Sequence, residues 1–146
     1  VYVDYAHTPD AIEVALKSLK PHILGKLIVV IGAGGERDEG KRPLMGAAAE
    51  KNSDFVIITD DNPRSENPSL IHQMIENGIQ DNNKVTVVPD RAEAILKAVD
   101  LLDVGDGLLI AGKGHETEQI VGKNIFPFDD FEQASLSVAS LDGVEQ

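Results

Sequence analysis

Three segments of the sequence carry side chains that together could bind a small zwitterion. They are residues 32–38, 60–64 and 112–116, which we call the Gly-Gly loop, the Asn-Pro loop and the Gly-His loop. Arg37 and Arg64 offer planar guanidinium groups that can each hold a carboxylate with two hydrogen bonds. Asp61 and Glu116 can accept hydrogen bonds from an ammonium group, and the glycines allow a ligand to approach the backbone. These residue types predict a site for an amino-acid-like molecule.

Each of these loops follows an apolar run that we predict to be a buried strand. Five such runs, rich in β-branched residues, lie at 1–3, 27–31, 55–59, 85–88 and 108–111. Runs without polar alternation are typical of strands that are buried on both faces, as in a parallel sheet. Ligands bind outside the carboxyl ends of such strands, where the loops gather. The three loops should therefore share one edge of the sheet.

Helical patterns lie between the predicted strands and should cover the sheet. Apolar residues recur with helical spacing over 12–19 and again over 95–102. Asp90 is a candidate N-cap for the second of these helices. Asp129 and Glu132 have the spacing of a capping box and predict a last helix near the end of the chain.

A hairpin is predicted just before that last helix. The runs 119–121 and 124–126 flank Gly122 and Lys123, a pair that favours a tight turn, and the hairpin could add an antiparallel edge strand. The whole pattern predicts an α/β fold, a Rossmann-like doubly wound and mostly parallel sheet of about six strands with helices on both faces. We expect residues 1–146 to form a single domain.

Composition argues against several classes of partner. The formal charge of −12 disfavours binding to nucleic acid or to an anionic membrane, because either surface would repel the domain. No apolar run approaches the roughly 20 residues of a membrane-spanning helix. The absence of cysteine excludes disulfide scaffolds and is compatible with a reducing compartment, so we expect a cytoplasmic protein. The chain begins at Val1 and its two methionines are Met45 and Met74, so we expect it to be part of a longer protein.

The polar residues of the Asn-Pro loop also have a purely structural interpretation. Asp60, Asp61 and Asn62 precede Pro63 and are typical turn-forming residues. Arg64 could be a solvated surface charge. Binding and turn formation both remain open for this loop on its sequence alone.

Two histidines have similar alternatives. His7 lies just before a predicted helix, where free backbone N–H groups favour anions, but Thr8 or Asp10 could cap that helix and leave His7 as a loop residue. His72 lies on a predicted helix, where we expect it to be solvated.

Two nucleotide-binding patterns in the sequence are incomplete. Residues 32–34 follow a predicted strand as in a dinucleotide-binding fingerprint, but Arg37 stands where the third glycine is needed. Gly107 and Lys113 have the spacing of a phosphate-binding loop, but the intervening residues are strand-like and Gly114 replaces the Ser or Thr that binds magnesium. A dinucleotide-binding Rossmann-type module is therefore the alternative that these glycines leave open.

Four segments resemble, in order and spacing, the C-terminal domain of the Mur ligases. They are residues 3–9 (VDYAHTP), 34–43 (GGERDEGKRP), 61–64 (DNPR) and 112–116 (GKGHE). The resemblance spans nearly the whole chain and implies an ATP-dependent amide ligase of peptidoglycan biosynthesis that works through an acyl phosphate. It also implies that the sites for the UDP-N-acetylmuramoyl substrate, for most of the ATP and for Mg²⁺ lie on upstream domains. We therefore expect this domain to be inactive alone, and we assign no catalytic or metal-binding residue to it.

The same resemblance indicates which amino acid is bound. Family members with Asp-Asn-Pro-Arg at the Asn-Pro loop typically take meso-diaminopimelate, whereas lysine-adding relatives typically lack that arginine. Diaminopimelate differs from lysine by one distal carboxylate, which Arg64 could hold with two hydrogen bonds. Carried over residue by residue, the amino-acid pocket comprises Arg37, Asp61, Asn62, Pro63, Arg64, Gly112 and Glu116. The segment that faces ATP in the closed family enzyme corresponds to Asp4, Tyr5 and His7.

Two qualifications come with this resemblance. Relatives often carry Cys-Gly-Gly-Asp-Arg where this chain has Ala-Gly-Gly-Glu-Arg at 33–37, which leaves Arg37 in place. Lysine-adding ligases, folylpolyglutamate synthetases and cyanophycin synthetases share a similar C-terminal domain, and the Asp-Asn-Pro-Arg sequence is the feature that argues against them.

Overall fold

Five strands form one parallel sheet in the computed structural model, which describes residues 1–35, 39–114 and 116–144. The strands are β1 (Tyr2–Asp4), β2 (Leu27–Ile31), β3 (Phe55–Ile58), β4 (Val85–Val87) and β5 (Gly107–Ala111). Their spatial order is β1-β5-β2-β3-β4, and every neighbouring pair is parallel. The predicted strands and the parallel sheet are confirmed. Because the strands are parallel, the loops that follow them lie at one edge of the sheet. The loops after β1, β5, β2 and β3 are neighbours there.

Five α-helices connect or follow the strands. They are α1 (Pro9–Leu19), α2 (Lys41–Asn52), α3 (Pro68–Glu76), α4 (Arg91–Asp100) and α5 (Asp130–Val144). The predicted N-cap is confirmed, because Asp90 Oδ2 accepts a hydrogen bond from Glu93 N at 3.0 Å. Asp129 Oδ1 likewise accepts from Glu132 N at 3.1 Å before α5. No helix in the described ranges combines the length and the apolar character needed to cross a bilayer.

The helices cover both faces of the sheet, as predicted. Helices α1, α2 and α3 pack on one face, where Leu16, Met45 and Ile75 are buried against the sheet. Helix α4 and the start of α5 pack on the other face through residues such as Ile95 and Ala134. β2, β3 and β5 are thereby covered on both sides, which explains why their sequences are apolar without alternation.

The predicted hairpin is confirmed but does not extend the main sheet. Strands β6 (Glu118–Val121) and β7 (Asn124–Pro127) form a separate two-stranded antiparallel sheet, with Gly122 in the turn at φ 61°. β6 instead hydrogen-bonds to the Asn-Pro loop: Arg64 N donates to Ile120 O at 3.1 Å, and Gly122 N donates to Arg64 O at 2.5 Å. The hairpin therefore hydrogen-bonds to the loop that follows β3 and does not pair with an edge strand of the main sheet.

Candidate functional site

A cleft of about 380 Å³ lies at the carboxyl edge of the sheet, a volume within the range of about 300–1,000 Å³ that small-molecule pockets usually have. Among the residues predicted to bind an amino acid, those that line the cleft are Asp61, Asn62, Arg64, Gly112 and Glu116. Two of the residues predicted on the ATP side also line it, Tyr5 and His7. The structure thus brings most of the predicted residues together in one cavity.

The other predicted residues have different places. Arg37 lies outside the described residues. Pro63 is buried and backs onto the Gly-Gly loop, where a Cβ on Gly35 would overlap its carbonyl oxygen. Asp4 lies at the end of β1, where its Oδ1 accepts a hydrogen bond from Ala6 N at 2.8 Å. Neither Pro63 nor Asp4 lines the cleft.

A buried lysine lies beneath the floor of the cleft. Lys113 is 0 % exposed, and its Nζ lies 3.1 Å from Asp61 Oδ1. The same Nζ donates hydrogen bonds to Asn62 Oδ1 at 2.8 Å and to Glu118 O at 2.9 Å. One cation therefore joins the Asn-Pro loop, the Gly-His loop and the hairpin.

The hairpin adds further hydrogen bonds to the Asn-Pro loop. Ile120 N donates to Asn62 Oδ1 at 2.9 Å, and Gln119 Nε2 donates to Asp61 O at 2.8 Å. Because its Oδ1 accepts from two elements at once, Asn62 has a structural role in addition to its place on the cleft wall.

Arg64 lines the cleft, and within the described residues its guanidinium group has only neutral hydrogen-bond partners. Its Nη1 donates to Gly35 O at 3.0 Å and to Asn62 O at 3.3 Å. Within residues 1–35, 39–114 and 116–144, no carboxylate forms an ion pair with Arg64, and its Nε and Nη2 have no hydrogen-bond partner. Its backbone is in the left-handed region at φ 53°, which is uncommon for a residue other than glycine. The guanidinium can pair with an anionic group of a ligand.

The absence of a side chain on Gly112 leaves space for Asp61 Oδ2. Its φ is 112°, a conformation that side-chain-bearing residues rarely adopt, and a Cβ there would lie 2.9 Å from Asp61 Oδ2. In the described part of the chain, Oδ2 has no hydrogen-bond partner. Among the described residues it is therefore the Asp61 oxygen without a donor, and it can accept a hydrogen bond from a ligand.

The β1 side of the cleft is more open. The Tyr5 and His7 rings meet edge to face with their centroids 4.8 Å apart, and His7 Nδ1 lies 3.0 Å from Tyr5 O. Tyr5 is 56 % exposed. Thr8 caps α1 by accepting a hydrogen bond from Ala11 N at 3.2 Å, so the structural interpretation of this segment is confirmed and His7 is a loop residue.

Comparisons with known proteins identify the family of this chain. Residues 1–114 match a family model described as "Mur ligase, glutamate ligase domain". The chain belongs to the Mur ligase family. It is 54% identical over 138 residues to the UDP-N-acetylmuramoyl-L-alanyl-D-glutamate--2,6-diaminopimelate ligase of Coxiella burnetii, a match that covers 94% of this chain and 28% of that protein.

Solved structures show the same relationship. A structure of UDP-N-acetylmuramoyl-L-alanyl-D-glutamate--2,6-diaminopimelate ligase superposes with a TM-score of 0.92 at 42% identity, covering 96% of this chain and 29% of that one. Mycobacterium tuberculosis folylpolyglutamate synthase in complex with ADP shares only the fold, with a TM-score of 0.58 at 22% identity over 75% of this chain and 27% of that one. The chain thus spans under a third of the length of the relatives that it matches.

Sequence reasoning missed the buried cations of this Mur ligase domain. Lys113 was considered as part of the Gly-His loop and as the lysine of an incomplete phosphate-binding pattern, which the structure rules out because residues 107–111 are strand β5 and its Nζ is buried against Asp61, Asn62 and Glu118. Arg42 was not considered, yet it lines the cleft and is 1 % exposed. A hydrogen bond with the Glu66 carboxylate raises the pKa of Arg42, and its Nη2 also donates to Gly34 O at 3.1 Å.

A second buried ion pair supports the Mur ligase cleft from the opposite face of the sheet. Arg91 and Asp130 form two hydrogen bonds of 2.6 Å, and both side chains are fully buried. The guanidinium of Arg91 also donates to Asp60 O in the Asn-Pro loop at 3.0 Å and to Ala111 O at the end of β5 at 3.1 Å. Burial alone would lower the pKa of Arg91, but hydrogen bonds with Asp130 raise it.

The expectation that His72 is solvated was wrong. It is 5 % exposed, and its Nε2 lies 2.6 Å from Asp60 Oδ1. Asp60 is therefore a structural residue of the Asn-Pro loop. The described residues of this Mur ligase domain contain no group of three or more His, Cys, Asp or Glu side chains that could hold a metal ion.

Proposed function

We propose that this chain is the amino-acid-binding domain of an ATP-dependent ligase that adds meso-diaminopimelate to UDP-N-acetylmuramoyl-L-alanyl-D-glutamate in peptidoglycan biosynthesis. The observation that carries the proposal is the guanidinium of Arg64, which faces the cleft without a carboxylate partner among the described residues. The names of the similar ligases support the same substrate. The role of the predicted pocket residues, including Arg37, Pro63 and Glu116, is part of this proposal.

The reaction begins with transfer of the γ-phosphoryl group of ATP to the side-chain carboxylate of the D-glutamyl residue. An amine of diaminopimelate then attacks the carbonyl carbon of this acyl phosphate, the new C–N bond replaces the C–O bond to phosphate, and the amine loses a proton. The described residues of this chain contribute orientation. Holding the amine in place converts an encounter of two molecules into a positioned attack.

The amino-acid end of diaminopimelate that does not react carries a carboxylate and an ammonium group, and each of these has a complementary group in the cleft. Arg64 pairs with the distal carboxylate, because a guanidinium can donate two parallel hydrogen bonds to it. Asp61 Oδ2 and the Glu116 carboxylate accept hydrogen bonds from the neighbouring ammonium group. The cleft thus matches both charges of one amino-acid end.

Charge also supplies a reason for the choice between diaminopimelate and lysine. Lysine has no distal carboxylate, so binding it would remove water from Arg64 without giving the guanidinium an anionic partner. An unmatched polar group of this kind costs about 1–3 kcal/mol, and more when it is charged. We therefore expect a preference of at least about tenfold for diaminopimelate.

The nucleotide side of the proposal concerns the β1 segment. Tyr5 and His7 line the same cleft near the start of α1, and Asp4 lies directly before them. We assign this segment to contact with ATP, while most ATP and Mg²⁺ contacts belong to other domains of the full-length enzyme. It follows that this domain alone is inactive, and the proposal includes a cytoplasmic location.

The test is amide formation by the full-length ligase that contains this chain. We expect product with meso-diaminopimelate at a kcat/KM at least about tenfold above that with L-lysine, because only the former supplies a partner for Arg64. Equal use of the two amino acids, or no product with diaminopimelate, would refute the proposed substrate. The isolated domain serves as the control and should form no product.

A further inference from the structure

We propose that Lys113 is a positioning residue for amino-acid binding, which acts through Asp61, Asn62 and the β6–β7 hairpin without touching the ligand. This inference rests on the proposed function, because it concerns how the same cleft is held in its binding geometry.

The burial and bonding of Lys113 show that it cannot be a ligand contact. Its side chain is 0 % exposed, and an ammonium group has three N–H donors. Nζ has three partners close to it, Asp61 Oδ1 at 3.1 Å, Asn62 Oδ1 at 2.8 Å and Glu118 O at 2.9 Å. The ammonium group therefore makes two hydrogen bonds and one ion pair within the protein.

The ion pair with Lys113 orients the Asp61 carboxylate. With Oδ1 turned toward Lys113, Oδ2 lies on the side of Gly112, where a Cβ would be 2.9 Å from it. Both Asp61 and Gly112 line the cleft. Lys113 thus determines which carboxylate oxygen is offered to an ammonium group.

The same cation anchors the hairpin that holds Arg64. Lys113 bonds to Glu118 O at the start of β6, and Ile120 N shares Asn62 Oδ1 with it. Farther along the hairpin, Ile120 O accepts a hydrogen bond from Arg64 N, and Gly122 N donates to Arg64 O; the φ of Arg64 is 53°. A left-handed backbone persists only when the surroundings hold it there. Here β6 provides that support.

Two effects of Lys113 on ligand affinity oppose each other. Its positive charge reduces the attraction of Asp61 for an ammonium group, so its removal alone would tighten binding. Its ion pair with Asp61 and its hydrogen bonds to Asn62 and Glu118, however, hold Asp61 and the support of Arg64 together. Misplacement of a binding group by about 1 Å can cost about 100-fold. Asp61, which binds the ammonium group, and Arg64, which binds the carboxylate, both depend on these contacts. We therefore expect the misplacement of these groups to outweigh the change in charge.

The test compares Lys113→Met with the unmutated full-length ligase. Methionine keeps much of the buried volume and removes the ammonium group. We expect KM for diaminopimelate to rise about tenfold or more, because the loop and hairpin lose their shared anchor, while KM for ATP changes by less than about twofold. The ratio of kcat/KM for diaminopimelate to that for L-lysine should fall, since the support of Arg64 weakens. An unchanged or lower KM for diaminopimelate, with an unchanged ratio, would overturn the inference.

Two further variants separate positioning from general loss of stability. Ile95→Ala removes buried side-chain atoms in the core under α4, on the other face of the sheet, and should lower the melting temperature without changing KM or the substrate ratio. Gln119→Leu removes only the hydrogen bond to Asp61 O and should change KM and the ratio in the same direction as Lys113→Met, but less. If Lys113→Met does not fold, the inference stands or falls on this variant, and unchanged KM and ratio for Gln119→Leu would then overturn it.

The outcome for the unmutated ligase keeps the two proposals distinguishable. If that ligase does not use diaminopimelate, the proposed function fails and the role of Lys113 in it fails as a consequence. If it does use diaminopimelate, and the variants bind it as well as the unmutated protein does, only the role of Lys113 is wrong.

Discussion

The two walls of the cleft are built in different ways. The wall formed by the Asn-Pro loop and the start of the Gly-His loop rests on buried ion pairs, with Lys113 on one side and Arg91 on the other. The wall formed by Tyr5 and His7 is largely exposed, and its one side-chain hydrogen bond within the described residues joins His7 to the backbone of Tyr5. We call these the buried wall and the open wall.

The difference indicates which ligand each wall can serve by itself. A fixed wall can recognise a small rigid ligand end, because its binding groups do not have to be ordered when the ligand arrives. An exposed wall gains specificity only when another surface closes over the ligand. We therefore propose that the buried wall binds the amino acid and that the open wall contacts a nucleotide held mainly by other domains of the full-length enzyme.

The largest expected effect is the loss of stability on removing the buried ion pair between Arg91 and Asp130, which supports the buried wall. Asp130→Ala leaves the Arg91 guanidinium buried without its carboxylate, and loss of one partner of a buried ion pair costs about 3–5 kcal/mol. We expect a decrease of that size in the free energy of unfolding, measured by urea denaturation. Replacing the pair together, as Arg91→Met with Asp130→Leu, should restore part of the loss. A loss below about 1 kcal/mol for the single variant would show that the pair does not support this wall.

Gly112→Ala should disturb the buried wall at a single point. Alanine at φ 112° is strained by about 1–3 kcal/mol, and its Cβ would displace Asp61 Oδ2. We expect lower stability and a KM for diaminopimelate that is raised at least about tenfold. Gly105→Ala is the matched control, because Gly105 also has a positive φ, of 91°, but its nearest neighbours lie at 3.5 Å or more and it does not line the cleft. Equal KM values for the two variants would contradict the role of Asp61.

The smallest effect on stability should come from the open wall. His7→Ala removes an exposed ring whose hydrogen bond is to a neighbouring carbonyl, so the free energy of unfolding should change by less than about 0.5 kcal/mol. In the full-length ligase we expect KM for ATP to rise and KM for diaminopimelate to stay constant. A rise in KM for diaminopimelate alone would show that the two walls do not divide the ligands in this way.

The sequence predicted the sheet, its loops and the position of the cleft well. Apolar runs that end in glycine or Asp-Asn-Pro mark both a buried strand and its carboxyl end, and residues such as Asp61 and Gly112 at these ends line the cleft. The hairpin was also predicted from its turn residues. Its partner could not be, because the bonds of β6 to residues 61–64 depend on a contact between segments more than fifty positions apart.

The buried cations were beyond sequence reasoning for the same reason. Lysine and arginine are usually exposed, and nothing local distinguishes Lys113 or Arg91 from a solvated side chain. Each is buried only because carboxylates and carbonyls from distant segments surround it. The burial of His72 against Asp60 follows the same rule, and the mistaken expectation of a solvated histidine arose from reading its helix alone.

The central claim is that Arg64 of the buried wall recognises the distal carboxylate of diaminopimelate. The most direct measurement is the ratio of kcat/KM for meso-diaminopimelate to that for L-lysine in the full-length ligase, before and after Arg64→Ala. We expect the ratio to fall at least about tenfold, because only diaminopimelate loses a charged hydrogen-bond partner in the variant. A ratio that is the same in both proteins would contradict the claim, whatever happens to the absolute rates.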